Sequence, residues 1–286
     1  MTGNPGTEQI KAFILHRVFY MRKSRALTCF ESSGLVHKFW KCHNSEFLLK
    51  SYDAKALYSQ HTTKALKHQS LKGKVYVQAF CYMNNHVHML CGYSEGSSHL
   101  SKFMQRAHAS FGAHFNRKHN RTGKVAVERP KTPVVEDGSD AQMDVHMYIE
   151  ANPLRAGIVR NLKQLRSYRF SSYQYYAYGI ESHFTKGLTA PKWYLSLGDS
   201  AEDRQKNYRV LFKEYLERTG WIGKAGNRTP KEEQSRSVEE KSFMKDIGSR
   251  KFLKRRQVFY LKYRNIKDFD QELKPTEILE KFLEAT

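Results

Sequence analysis

The alternation of apolar and polar positions predicts three strands in the first third of the chain. Gly34–His43 (GLVHKFWKCH) is rich in β-branched and aromatic residues, which favours a strand. A second strand is predicted at Val75–Phe80, and a third lies within Phe80–Tyr93 (FCYMNNHVHMLCGY), which Gly92 closes. The pattern leaves open whether the second strand runs into the third or pairs with it.

Two helices with an apolar stripe are predicted around these strands. The first begins with Asp53 as a plausible N-cap and runs to about Leu66. The second begins at Ser97 or Ser98 and has the clearest helical repeat of the chain. Its apolar positions, which are expected to face the core, are Leu100, Phe103, Met104, Ala107, Phe111 and Phe115.

Two further helices are predicted in the second half. One follows the cap Asp140 and is expected to end near Asn152, because the proline at 153 cannot continue a helix. The other follows the cap Ser200 and extends to about Arg218. Residues 182–192, between them, have the composition of a linker.

Composition divides the chain into three parts. Residues 1–33 mix basic and aromatic side chains without a clear period and are predicted to be an N-terminal arm. Residues 34–180 contain the predicted strands and the first three helices. Residues 181–286 are predicted to be a basic, mainly helical extension, with a flexible connector near 223–240 where apolar residues are few.

The charge of the chain indicates a polyanionic partner. The sequence has 49 Lys and Arg against 28 Asp and Glu, a formal net charge of +21. Such an excess of positive charge is typical of proteins that bind nucleic acid. An anionic membrane surface is the competing partner, but no basic amphipathic segment dominates and no apolar run approaches the length of a membrane span. Nucleic acid is therefore the expected partner, and no membrane is expected.

Cysteine usage and the N-terminal sequence favour a reduced compartment. The four cysteines show no CxxC spacing, and none forms a finger-type pattern with the histidines. The first residues contain no apolar segment followed by a cleavage site. We therefore expect a cytoplasmic, nucleoid-associated protein, either a monomer or a homodimer.

Basic side chains are concentrated on the second helix and near the C-terminus. Between Ser97 and Lys131 there are eight Lys and Arg against the single acid Glu128, and a surface of one charge sign favours phosphate contact. In residues 241–267, basic residues alternate with aromatic ones, which suits both backbone contact and base stacking, or simple inward packing. The candidate DNA-binding residues are Lys102, Arg106, Arg117, Lys118, Arg121, Lys124, Arg129, Arg155, Lys251, Lys254, Arg255 and Arg256.

The third predicted strand contains a candidate metal site. His86 and His88 are two residues apart, so their imidazoles project from the same face of a strand. On the third helix, Tyr148 and Asn152 are four residues apart and share one face. Two imidazoles and an amide oxygen suit Mn²⁺ or Mg²⁺, and tyrosine is a competent nucleophile once it loses its proton. The alternative is that the histidines are ordinary surface residues.

Two motifs in this order resemble a known family. NHVHML, at 85–90, is followed by a segment from Tyr148 to Val159 with the sequence YIEANPLRAGIV. Together they resemble the REP-associated tyrosine transposases, which are single-tyrosine HUH endonucleases. The resemblance covers roughly residues 34–180. It continues in Phe115-Asn116-Arg117, in Thr122-Gly123 with Arg129 downstream, and in Ser171-Ser172-Tyr173.

The resemblance implies a fold and a reaction. The implied fold is a ferredoxin-like α+β domain, an antiparallel sheet that carries the histidines, with helices on one face. The implied reaction is cleavage of single-stranded DNA near hairpins, in which Tyr148 forms a 5′-phosphotyrosine and releases a 3′-OH. His86 and His88 would bind the Mg²⁺ or Mn²⁺ ion, with Asn152 as the third ligand. The sequence departs from the family pattern at Asn84, where proline is usual, and at Phe170, where tryptophan is usual.

Two other functions compete with this interpretation. A domesticated, non-catalytic protein that binds structured DNA or RNA would keep the basic surfaces without cutting. A zinc hydrolase would need a further His or acidic ligand and a glutamate base. Glu150 is on the third helix, but it is two residues from Tyr148 and is expected to point away from that face.

Overall fold

A computed structural model describes Cys29, residues 31–221 and residues 246–256. The predicted N-terminal arm therefore lies almost entirely outside the described residues, and the predicted connector at 223–240 lies wholly outside them. In the part of the chain that is described, no helix is both long and apolar enough to span a bilayer.

A four-stranded antiparallel sheet forms the centre of the fold. Its strands are β1 (Gly34–Lys41), β2 (Val75–Tyr82), β3 (His86–Tyr93) and β4 (Val134–Val135), in the order β2-β3-β1-β4. The predicted second strand thus pairs with the third through a short turn at residues 83–85. The predicted α+β class with an antiparallel sheet is confirmed. The two-residue strand β4 is too short to produce a recognisable sequence pattern.

Helices α1 (Tyr52–Leu66) and α2 (Ser97–Lys118) cover one face of the sheet. All six apolar residues predicted to line α2 are buried in this layer, against strand residues such as Trp40, Val87 and Met89. The N-cap of α1 is Ser51 rather than the predicted Asp53: its hydroxyl accepts a hydrogen bond from the amide of Ala54, at 3.1 Å.

Helix α3 (Asp140–Arg155) covers the opposite face, so the sheet has helices on both faces rather than on one. It continues past its predicted end at Asn152, with Pro153 in its last turn. Proline offers no amide hydrogen, but the side-chain amide of Asn152 donates to the carbonyl oxygens of Tyr148, at 2.8 Å, and Ile149, at 3.4 Å. The longer of these two bonds gives a donor to Ile149, whose carbonyl would otherwise bond to the amide of residue 153.

The remaining helices form a second hydrophobic cluster on the outer side of α3. They are α4 (Leu162–Arg166), α5 (Tyr173–Tyr178), α6 (Lys192–Leu195) and α7 (Ala201–Arg218). Tyr208 and Phe212 of α7 pack against α5 and α3 in one cluster, so the boundary proposed near residue 180 does not separate two cores. Residues 182–192 are not an exposed linker, because Phe184 is buried and the amide of Thr189 bonds to the carbonyl of Val77 on the edge strand β2.

The described part of the C-terminal tail, residues 246–256, packs on the β4 edge of the sheet. Ile247 forms a parallel bridge with Val135, and residues 250–256 are helical. Phe252 is buried in the core that α1 and α2 share. This part of the basic extension is therefore a structural element of the main domain.

Candidate active site

The face of the sheet beneath α3 carries the two histidines. His86 and His88 have ring centroids 4.9 Å apart with nearly perpendicular planes. The prediction that they share a strand face is confirmed, because the ring of Phe39 on β1 contacts both histidine rings. Phe39 lies opposite His88 in the strand pairing. His86 is half-buried at the start of β3, whereas His88 is buried.

Each histidine has a partner at its Nδ1 atom. His86 Nδ1 lies 2.7 Å from Asn85 Oδ1, an acceptor, so the hydrogen is on Nδ1 and the lone pair is on Nε2. His88 Nδ1 lies 2.9 Å from Nε2 of a third histidine, His37 on β1, and their rings stack with centroids 5.1 Å apart. When His88 Nδ1 donates to His37, the lone pair of His88 is also on Nε2. Both rings then present the atom that binds a metal.

Burial keeps the inner histidines neutral. It lowers the pKa of His37 to about 3. Burial also lowers the pKa of His88 well below its usual value, and the neighbouring His86, His37 and Arg155 add to the effect. A neutral imidazole is the form that binds a metal ion, so His88 is suited to ligation at neutral pH.

The lowered pKa values predict loss of stability in acid. Below the ordinary histidine pKa of 6.5, the unfolded chain takes up protons at His37 and His88 that the folded chain does not bind. The free energy of unfolding should therefore fall as the pH drops below 6.5, by about 1.4 kcal/mol per pH unit for each histidine. Urea unfolding in metal-free buffer at pH 7, 6 and 5 measures this slope. His37→Leu should have a shallower slope, and equal slopes would contradict the assignment.

Helix α3 places Tyr148 directly against the histidines. The Tyr148 ring meets His88 edge-on, with centroids 5.8 Å apart, and His37 at 5.9 Å. The tyrosine is half-buried, whereas its helix neighbours Val145 and Ile149 are buried against the sheet. The sheet and the helix thus bring together the imidazole pair and the phenol that sequence motifs single out separately.

A guanidinium group lies on the ring of the tyrosine. The Cζ atom of Arg155, at the end of α3, is 4.2 Å from the Tyr148 ring centroid and 4.6 Å from that of Trp221. Arg155 is buried, and its positive charge also acts on His88. A cation held at this position attracts a phosphate.

The side chains near Tyr148 include the nitrogen and oxygen donors that the sequence predicts as metal ligands. Two imidazole Nε2 atoms are presented by His86 and His88, and Asn152 is one turn after Tyr148. The amide nitrogen of Asn152 is engaged within its helix, so Oδ1 is the atom it would offer to a metal. Among the described residues, no three His, Cys, Asp or Glu side chains are grouped to hold a metal. The zinc hydrolase alternative, which requires such a third ligand, gains no support.

The candidate DNA-binding residues fall into separate regions. Those of α2, which are Lys102, Arg106, Arg117 and Lys118, are exposed on the helical layer opposite the histidine face. Lys124, Arg129, Lys251, Lys254 and Arg255 are also exposed, although Arg255 bonds to Glu31 at 2.9 Å. Arg121 pairs with Glu46 at 2.9 Å and is half-buried.

Two of the candidate residues are buried, Arg155 against the Tyr148 ring and Arg256 at the edge of the sheet. Arg256 is only 1% exposed, and its Nε donates to Asp246 at 2.6 Å. Asp246 in turn accepts a hydrogen bond from the amide of Val134. The prediction that Arg256 contacts DNA is therefore wrong. Its ion pair with Asp246 holds the tail on the sheet, and no guanidinium surface is left for a phosphate.

Three residues near the site were not identified from sequence. His37 lies two positions before Phe39 on β1, and strand alternation alone places it on the same face, but only the pairing of β1 with β3 shows that it meets His88. Trp221 follows α7, 62 residues after the motif ends at Val159. Asn85 lies within the NHVHML motif, but no role was predicted for it.

Comparisons with known proteins give one match. No family model and no curated protein matches the sequence. Among solved structures, the chain is similar to a REP-associated tyrosine transposase bound to a REP hairpin. The TM-score is 0.39 and the sequence identity 16%, over 52% of this chain and 83% of that one. The functional assignment therefore depends on the residues and geometry described above.

Proposed function

We propose that this protein is a metal-dependent endonuclease and strand transferase that acts on single-stranded DNA near hairpins. The observation that carries the proposal is the contact of the Tyr148 ring with His88, on the sheet face that also presents His86. The sequence motifs assign a nucleophile and a ligand pair to separate elements. Their meeting in the fold is what a shared reaction centre requires.

The reaction is a transesterification at phosphorus. The Tyr148 oxygen loses its proton and forms a bond to the phosphorus, while the bond from phosphorus to the 3′-oxygen breaks. That oxygen leaves with the electron pair and takes up a proton, which gives a free 3′-OH and a 5′-phosphotyrosine. Attack by a 3′-OH on the phosphotyrosine reverses the step and joins strands. No net oxidation or hydrolysis occurs.

The surrounding residues have distinct roles in this reaction. Arg155 holds positive charge against the phenol ring, which stabilises the phenolate that attacks and attracts the scissile phosphate. His86 and His88, with Asn152 as the third ligand, would hold Mg²⁺ or Mn²⁺. When bound, such an ion supplies Lewis-acid stabilisation of charge on the phosphoryl and leaving oxygens.

A covalent-adduct assay tests the proposed function. A single-stranded oligonucleotide with a hairpin, labelled at its 3′ end, is incubated with the protein and Mn²⁺ or Mg²⁺ and separated under denaturing conditions. We expect a labelled band that migrates with the protein and is absent in EDTA. Strong, salt-sensitive binding without an adduct under any metal would instead favour the non-catalytic binder, which needs only the basic surfaces.

His37 is expected to contribute to metal affinity through His88. Replacing His37 by leucine removes the partner of His88 Nδ1, so the tautomer and orientation of that ring are no longer fixed. Loss of such a partner typically weakens metal binding about 10–100-fold. Mn²⁺ titration by calorimetry measures the change. His108→Leu, on the opposite face of the sheet, is the matched control, and wild-type affinity in His37→Leu would show that the contact has no such role.

A further inference from the structure

Three aromatic side chains form a surface at the edge of the sheet; we call it the aromatic surface. Its members are Tyr52, at the start of α1, Phe170 and His183. The ring of Tyr52 lies 5.6 Å from Phe170 and 6.4 Å from His183 between centroids. Tyr52 is 45% exposed, His183 is exposed and Phe170 is half-buried.

The rings are held in place from below. Buried Phe184 contacts all three, with centroid distances of 6.0 Å to Tyr52, 5.1 Å to Phe170 and 3.8 Å to His183. Exposed rings on a rigid base lose little conformational entropy when a flat ligand stacks on them. The arrangement therefore favours recognition of planar groups.

Positive charge accompanies the rings. The guanidinium carbon of Arg169 is 5.9 Å from the Tyr52 ring centroid, and Arg169 is exposed. Lys55 Nζ is 4.9 Å from the Phe170 ring centroid. Lys55 is buried, so Arg169 is the cation open to a ligand. Aromatic faces with an adjacent exposed cation match a single nucleic acid strand, whose bases stack while its phosphates are neutralised.

Lys55 joins the two positions at which the sequence departs from the transposase motif. Its ammonium donates to Asn84 Oδ1, at 3.0 Å, while it lies against the Phe170 ring. It also donates to the carbonyl oxygens of Leu49 and Lys50, so its three hydrogens have acceptors within the protein. Lys55 therefore fixes Asn84 and Phe170 as one local structure, and the exposed rings are left to contact a ligand.

A backbone hydrogen bond joins the aromatic surface to the strand that precedes the histidine pair. The carbonyl of Phe170 accepts a hydrogen bond from the amide of Tyr82, the last residue of β2, and β3 begins four residues later at His86. On its other side, His183 lines a cleft together with His114 and Lys118 of α2. The surface thus lies between the basic end of α2 and the end of the sheet where His86 is located.

We propose that the aromatic surface binds unpaired nucleotides of the DNA strand that leads to the reaction centre. This inference rests on the proposed function and specifies how the substrate is held. Bases stack on Tyr52 and His183, and Arg169 neutralises the adjoining phosphates. Stacking of this kind tolerates many sequences, so the surface selects single-stranded over duplex DNA. One bound strand would then contact both the exposed basic end of α2 and the catalytic face.

A binding experiment tests the inference. The full-length protein carries Tyr148→Phe so that no strand is cut, and the probe is a mixed-sequence single-stranded DNA 20-mer with 2-aminopurine, measured by fluorescence. We expect Tyr52→Ala to weaken binding about ten-fold or more, which corresponds to the loss of one stacked base. Tyr52→Phe should restore wild-type affinity. Leu195→Ala, which removes another exposed large side chain, should bind like the parent.

The outcomes separate this inference from the proposed function. Unchanged affinity in both Tyr52→Ala and His183→Ala, with folding confirmed by circular dichroism, would overturn the aromatic surface even if wild-type protein forms the covalent adduct. Weakened binding in these variants would support the surface even if no adduct forms. Tighter binding to RNA of the same sequence than to DNA would overturn its assignment to a DNA strand.

Discussion

Replacement of Tyr148 by phenylalanine is expected to reduce the covalent protein–DNA adduct to an undetectable level. The change removes one oxygen atom, the proposed nucleophile, and keeps the ring that contacts His88, His37 and Arg155. Because the ring contacts persist, the fold and the affinity for a hairpin oligonucleotide should be close to those of the wild type. The adduct assay and a parallel gel-shift titration measure the two quantities on one preparation.

Two controls make this result specific. Tyr175→Phe removes a hydroxyl from another half-buried tyrosine, on α5, and should leave the adduct unchanged. His88→Ala should abolish the adduct by a different route, because it removes a metal ligand while the phenol remains. An adduct of wild-type yield in Tyr148→Phe would assign the nucleophile to another residue and remove the basis for the role of Arg155.

Sequence periodicity was sufficient for the parts of the site that belong to one element. A period of two places His86 and His88 on one strand face, and a period of 3.6 places Tyr148 and Asn152 on one helix face. The meeting of the two elements was not available from periodicity, because it depends on which face of the sheet α3 covers. It was expected from the chemistry of the two motifs taken together and from the family resemblance, which did not include a second helical layer.

A contact between distant segments explains the incorrect prediction for the tail. The tail with Phe252 and Arg256 has the basic and aromatic composition of a nucleic acid contact, and only the docking of residues 246–256 on β4 shows that both side chains face inward. The early end predicted for α3 failed for a local reason, since Asn152 replaces the donor that Pro153 lacks. A rule about proline alone does not take account of the preceding side chain.

Glu150 has a structural role that motif comparison cannot assign. Glu150 is fully buried on the side of α3 away from the catalytic face. Ser172 and Tyr208 each donate a hydroxyl hydrogen bond of 2.5 Å to its carboxylate, and His146 Nε2 lies 3.3 Å from it. Burial and the charge of Glu150 raise the pKa of Tyr208 well above its usual value, so this hydroxyl stays a donor. The cluster ties α3 to α5 and α7.

Substitution of Glu150 by alanine is therefore expected to destabilise the protein by about 3–5 kcal/mol. It removes the acceptor shared by Ser172 and Tyr208. The buried Tyr208 hydroxyl then loses its acceptor, and Ser172 keeps only its bonds to the Phe80 backbone. Tyr208→Phe removes one donor to a charged group and should cost about 1.5–3 kcal/mol. Chemical denaturation at neutral pH, followed by circular dichroism, measures both changes. The double variant should cost less than the sum of the two, because the residues share one interaction.

Glu217→Ala is the matched control for the loss of a carboxylate. Glu217 is on the exposed face of α7 and pairs with Lys213 at 3.7 Å, so its removal should cost less than about 1 kcal/mol. Glu150→Ala should also reduce the adduct only in proportion to the unfolded fraction, because Glu150 does not face the histidines. A stable Glu150→Ala protein that forms no adduct would contradict this division and would place Glu150 in the reaction itself.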